Sequence, residues 1–169
     1  MNNKNKRVNE TTLKVTRAAI IAALYTALTI VSSAFGLSSG AIQFRISEAL
    51  CILPVIMPEA ILGLAVGCLI SNLIAGGVIW DIVFGSIATL IGAVGAYLLR
   101  KLPKKYIWLS TLPTVISNTL IVPFVIVYAY GATEALPLVM LFVMIGEVVC
   151  ATLGGSVFYY SCEKLIRGL

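Results

Sequence analysis

Glu147 is the residue of this sequence from which chemistry is most readily argued. It stands between the apolar runs Leu141-Phe-Val-Met-Ile-Gly146 and Val148-Val-Cys-Ala151, with no Lys or Arg within a helical turn. A carboxylate in such surroundings is costly to bury, so it must face a polar cavity, a ligand or a partner helix. An acid bonded to Asn118 or to a hydroxyl is the plainer alternative. Asp81, next to Trp80, could complement the positive end of a helix or meet a ligand. Asn72 and Asn118 each donate and accept, which suits the edge of a heterocycle and equally suits bonding between helices. Tyr128 and Tyr130 fit an interfacial aromatic belt, although one of them could stack on a ring. Arg45 and Glu48, three residues apart, would share a helix face and could pair. Glu59 and Glu134 fall near interfaces, where they would be solvated.

Several chemistries are excluded at once. The chain has no histidine, which removes His metal sites, Ser-His and Cys-His nucleophile pairs and a His proton relay. It contains no G-x-x-x-x-G-K-[ST] phosphate loop and no G-x-G-x-x-G turn. Cys51, Cys68, Cys150 and Cys162 lie in or beside apolar runs without C-x-x-C spacing, so they read as packing residues rather than ligands or disulfides. No metal, cofactor or catalytic set is expected, and the chain is not expected to be an enzyme. Any ATP must be hydrolysed by another polypeptide.

The elements that position these residues follow from composition. Of 169 residues, 60% are hydrophobic and 11% charged, whereas an ordinary soluble domain has about 45–50% and 25%. A globular fold could not hide that much apolar surface. At roughly 20 residues per crossing, the expectation is an all-α polytopic membrane protein, a single domain over residues 1–169 with a cytoplasmic segment at 1–12. The six helices are placed at about Leu13–Phe35, Ile42–Val55, Glu59–Ile74, Ile79–Leu99, Tyr106–Tyr130 and Leu136–Ile166. Gly36 to Gly40 would form an outer loop, Pro54 and Pro58 would bracket an inner turn, and Pro113 and Pro123 could kink the fifth helix.

Charge sets the orientation. Lys4, Lys6, Arg7, Lys14 and Arg17 precede the first apolar run; Arg100, Lys101, Lys104 and Lys105 fill one break; Lys164 and Arg167 close the chain. With six crossings all of these fall on one face and only Arg45 on the other, the positive-inside bias that puts both termini in the cytoplasm. The +5 net charge therefore points to a membrane and not to nucleic acid. A cleaved signal peptide is disfavoured, because a five-helix membrane body would still follow it.

Small residues recur at four-residue spacing. Ala18, Ala19, Ala22, Ala23 and Ala27 form overlapping pairs on the first helix, and Gly63 and Gly67 a pair on the third. Such spacing lets backbones approach closely in lipid, either within the fold or against another membrane subunit.

The runs Ile42-Gln-Phe-Arg-Ile-Ser-Glu-Ala-Leu50, Gly67-Cys-Leu-Ile-Ser-Asn-Leu73 and Trp80-Asp-Ile-Val-Phe-Gly-Ser-Ile-Ala-Thr-Leu90 resemble the queuosine-precursor transporter family. These are substrate-binding S components of energy-coupling factor (ECF) transporters, and the resemblance covers nearly the whole chain. It implies a six-helix cell-membrane protein that captures a 7-deazaguanine from outside: a 7-cyano- or 7-aminomethyl compound, or queuine. Its implied partners are a transmembrane coupling subunit and two ATPases, with Ala18, Ala19, Ala22 and Ala23 as the docking face. In a site for such a ring, Glu147 would accept the N1–H and the exocyclic amine together. Asp81 would neutralise an amine substituent, Asn72 and Asn118 would meet the remaining ring groups, and Trp80 or Tyr128 would cover a ring face. Arg45 and Glu48 would hold the second helix and outer loop. Two other readings remain open at this level: an S component for another vitamin, and a small proton- or ion-coupled carrier using Glu147 and Asp81 as its relay.

Overall fold

The computed structural model describes residues 3–36 and 44–167, and the described residues form an all-helical bundle. Helix α1 (Asn3–Ala34) starts ten residues before the expected Leu13, because neither Gly nor Pro interrupts the chain from Asn3 to Ala34. The expected outer loop and the beginning of the second helix lie outside the described residues, apart from Gly36. Next along the chain comes a 3₁₀ segment, Ile46–Val55, where an α-helix from Ile42 was expected. With about 2.0 Å of rise per residue against 1.5 Å in an α-helix, a 3₁₀ geometry carries these ten residues through roughly 20 Å. Eight of the ten are buried, and the segment packs on α1, on α2 (Ala60–Ile74) and on α3 (Ile79–Leu98).

The remainder keeps the expected order with two changes of geometry. The fifth expected helix is a 3₁₀ segment, Lys104–Thr111, leading into α4 (Leu112–Tyr128). Pro113 therefore occupies the first turn of α4, where its missing N–H costs nothing. The sixth is α5 (Leu136–Glu147), a π-helical segment (Val148–Gly154) and α6 (Gly155–Arg167). Four stretches are long and apolar enough to cross a bilayer: Glu10–Ala34, Ile79–Leu98, Lys104–Tyr128 and Leu136–Glu163. Ile46–Val55 and Ala60–Ile74 are apolar but shorter.

Small residues bring the helices together. A Cβ built on Gly63 would meet the Ala18 carbonyl at 2.7 Å, and one on Gly67 the Ala22 carbonyl at 2.9 Å. The α1 backbone at Ala18 and Ala22 thus packs against α2, with Ala22 buried and Ala18 partly buried. Ala19 and Ala23, one residue further round α1, are exposed. Gly92 performs the same service on α3, where a Cβ would lie 2.6 Å from Thr114 Oγ1. Replacing Gly67 with Val should lower stability by about 1–3 kcal/mol through overpacking, whereas Ala19→Val should stay within about 0.5 kcal/mol. Thermal unfolding of the detergent-purified variants checks the contrast.

Candidate functional site

Three hydroxyl residues on one face of α1 fix the central 3₁₀ segment. Tyr25 donates to Glu48 Oε1, Thr29 donates to Ser47 Oγ at 2.8 Å, and the Ile46 N–H donates to Ser32 Oγ at 3.1 Å. The four- and three-residue steps from Tyr25 to Ser32 keep these groups on one stripe, so Ser32, Thr29 and Tyr25 meet Ile46, Ser47 and Glu48 in turn. The ladder points Arg45 toward the N-terminus of α3.

There Asp81 sits in the first helical turn, where its charge complements the helix dipole. Its Oδ2 accepts a hydrogen bond from the Tyr130 hydroxyl at 2.9 Å and lies 4.0 Å from Arg45 Nη2. Tyr130 also accepts the Val78 N–H at 3.3 Å. Its phenol is pushed above the ordinary range by partial burial and then by the Asp81 charge, so it remains a donor at neutral pH. Asn72 donates to the Asp81 backbone carbonyl at 3.3 Å. Gly77 and Gly85 allow the approach: a Cβ on Gly85 would come within 2.9 Å of Asn72 Nδ2, and one on Gly77 within 3.4 Å of Asp81 Oδ2.

A second tier lies along the 3₁₀ segment and α5. Glu48 is 1% exposed and accepts from Tyr25 and, at 3.0 Å, from Cys51 Sγ. Glu147 is 8% exposed; Asn118 Nδ2 donates to its Oε1 at 2.8 Å, while its Oε2 is buried and has no hydrogen-bond partner among the described residues. The 3₁₀ segment that carries Glu48 packs on the π segment that follows Glu147, which brings the two tiers side by side. The π segment begins at the next residue, a geometry frequent at functional positions. Thr152 in that segment is hydrogen-bonded to Thr111 at 2.9 Å, tying the wide turn to the second 3₁₀ segment.

The residues singled out from sequence thus divide. Asn72, Asp81, Asn118 and Glu147 enter this cluster, and so do Arg45 and Glu48, although not as the expected pair: the ladder turns Glu48 to Tyr25 and Cys51 and leaves Arg45 to Asp81. Trp80 (57% exposed) and Tyr128 (75%) are elsewhere. They line an apolar concavity of about 500 Å³ between α3 and α4, together with Phe84 and Phe124. Its greasy walls face outward from the bundle and offer no charged group. Tyr25 and Cys51 are cluster members not expected from the sequence, the hydroxyl stripe Tyr25, Thr29, Ser32 being the available signal for the first; Tyr130, read as a belt or stacking residue, instead donates to Asp81.

The model of the QueT transporter family matches residues 15–164, nearly the whole chain. The chain belongs to the QueT transporter family. The Queuosine precursor transporter QueT of Lactococcus lactis subsp. cremoris (strain MG1363) is 33% identical over 99 residues, which is 57% of this chain and 57% of that protein. The matched stretch is thus a little over half of the relative's length. No solved structure matches the chain. Family and relative are transporters and not enzymes, and with several helices able to cross a bilayer this QueT-family chain is a multi-pass membrane protein.

In that setting the Tyr25 hydroxyl is a donor that water cannot replace. Tyr25→Phe should destabilise the protein by about 1–3 kcal/mol, the cost of stripping a partner from a buried acceptor. Tyr128→Phe, on the exposed groove, should be neutral within about 0.5 kcal/mol. Thermal unfolding in detergent distinguishes the two.

Proposed function

We propose that this protein is the substrate-binding subunit, or S component, of an ECF-type importer, taking up a queuosine precursor with a 7-deazaguanine ring from outside the cell. The observation that carries the reading is the buried, unpartnered Oε2 of Glu147. A 7-deazaguanine presents an N1–H and an exocyclic amine on one edge, and a carboxylate accepts such a pair in a charge-assisted contact. Asn118 orients the carboxylate through Oε1, leaving Oε2 to lead the contact. Asn72 and Asp81 form the outer wall, Arg45 and Glu48 hold the central segment, and Trp80 and Tyr128 act at the outer rim and not on the ring face.

The same reading makes the chain one membrane domain that crosses six times, with both termini in the cytoplasm. Two ion pairs support the orientation, Arg17–Glu59 at 3.1 Å and Lys104–Glu163 at 2.9 Å. Both join residues at one end of the bundle, the end that carries the sequence's cationic clusters. Energy would come from a separate coupling subunit and its two ATPases, since no phosphate loop is present in the sequence. The exposed Ala19 and Ala23 face of α1 is the surface on which that coupling subunit would close.

Glu147→Gln should weaken binding of a 7-deazaguanine by about 2 kcal/mol, roughly thirtyfold, in calorimetric titration of the purified protein. Unchanged affinity in a folded variant would remove Glu147 from the site. Ala19→Leu combined with Ala23→Leu should leave that affinity unchanged and reduce uptake by whole cells; normal uptake would place the coupling surface elsewhere.

A further inference from the structure

The break between α3 and α4 places Arg100, Lys101, Lys104 and Lys105 close together, and all four are exposed. Like charges set this near repel one another unless something compensates them. Lys104 is compensated: its Nζ lies 2.9 Å from Glu163 Oε2, and the Tyr160 hydroxyl donates to its carbonyl at 2.8 Å, which ties the turn to α6. Arg100, Lys101 and Lys105 have no acidic partner among the described residues.

Two of these three are held in place. The Arg100 guanidinium lies 3.8 Å from the centre of the Tyr97 ring, and its Nη1 donates to the Tyr97 carbonyl at 3.0 Å. Lys105 Nζ stands 5.7 Å from the centre of the Tyr106 ring. A guanidinium fixed in this way keeps its remaining N–H groups for a bidentate contact with an oxyanion. The positive-inside bias asks only for charge at this end of the bundle and does not require that it be fixed.

The surroundings select the kind of anion. Tyr106 and Trp108, 45% and 42% exposed, flank the cations with amphipathic rings that favour the level of lipid headgroups. Along α3, Ile87, Ile91, Val94 and Leu98 recur at steps of four, three and four, so they form one exposed apolar stripe that ends beside Arg100. The stripe rises about 17 Å along the helix, close to half of a hydrocarbon core about 30 Å thick. An apolar track one leaflet long, running up to uncompensated cations, matches a molecule with a phosphate at one end and acyl chains behind it.

We propose that the turn from Arg100 to Lys105 is a binding site for an anionic phospholipid, with Arg100, Lys101 and Lys105 holding the headgroup phosphate and the stripe from Ile87 to Leu98 receiving an acyl chain. The site requires only that the chain cross a bilayer and is independent of the cargo. Headgroup contacts here set the depth of α3 and α4 in the membrane.

Trp108 reports on the site directly, because it is the one tryptophan left in the full chain once Trp80 is replaced by Phe. The Trp80→Phe protein is reconstituted in phosphatidylcholine vesicles containing either brominated phosphatidylglycerol or brominated phosphatidylcholine, whose bromine atoms quench a neighbouring indole. Quenching of Trp108 should show the phosphatidylglycerol favoured about five- to thirtyfold, at roughly fivefold for each cation beside an anionic headgroup. Combining Arg100→Gln, Lys101→Gln and Lys105→Gln should bring the preference to within about twofold. Combining Lys4→Gln, Lys6→Gln and Arg7→Gln, which removes the same charge at the start of α1, should leave it unchanged. Equal quenching by the two brominated lipids in the Trp80→Phe protein would overturn the proposal whatever the variants do, and would leave the cations to an acidic protein surface. A preference that survives in the folded Arg100, Lys101 and Lys105 variant would overturn it as well, since the lipid would then be recognised elsewhere.

Discussion

A carboxylate inside a lipid-embedded bundle has no water to fall back on, so its donors must come from the protein or from a guest. That constraint governs the centre of this molecule. Glu48 meets it fully with Tyr25 and Cys51, and Asp81 meets it with Tyr130, Arg45 and the start of a helix. Glu147 meets it with one oxygen only. An internal acceptor left half satisfied destabilises the fold unless something else supplies the donor. In the function proposed here that donor is the cargo.

The departures from regular α-helix cluster around this constraint. The 3₁₀ segment Ile46–Val55 threads the middle of the bundle and carries Glu48, with Arg45 just ahead of it, and the π segment starts directly after Glu147. Around them, α1, α2, α3 and α4 are drawn close by glycines facing Ala18, Ala22 and Thr114. Close packing of plain helices supplies rigidity, and the irregular turns aim the polar side chains. Specificity of this kind comes from fixed hydrogen-bonding groups, because a ligand lacking the matching groups would leave them unpaired in an apolar interior.

Much of this was legible in the sequence because its signals are local. The isolation of Glu147 among apolar residues, the place of Asp81 at the start of a helix, and the cationic breaks are all visible without tertiary contacts. Helix order and most helix ends followed from hydropathy, Gly and Pro. The switch from α to 3₁₀ at Ile46 and the π turn at Val148 were not legible, since they reflect the distance to be covered and the packing of neighbours. Pairing went astray for the same reason: three-residue spacing suggested Arg45 with Glu48, but each found a better partner more than twenty residues away. Trp80 is adjacent to Asp81 in sequence yet exposed beside the groove, as successive helical residues point in directions about 100° apart.

The outward groove of Trp80, Phe84, Phe124 and Tyr128 and the inward cluster around Glu147 differ completely in chemistry, one apolar and one built of hydrogen-bonding groups. An experimental structure of the protein with a bound 7-deazaguanine separates them most directly. We expect the ring edge to lie within hydrogen-bonding distance of Glu147 Oε2, about 2.7–3.2 Å, with Asn118 still bonded to Oε1. A ring seated between α3 and α4, with Glu147 closed off from it, would contradict the central role given to that carboxylate.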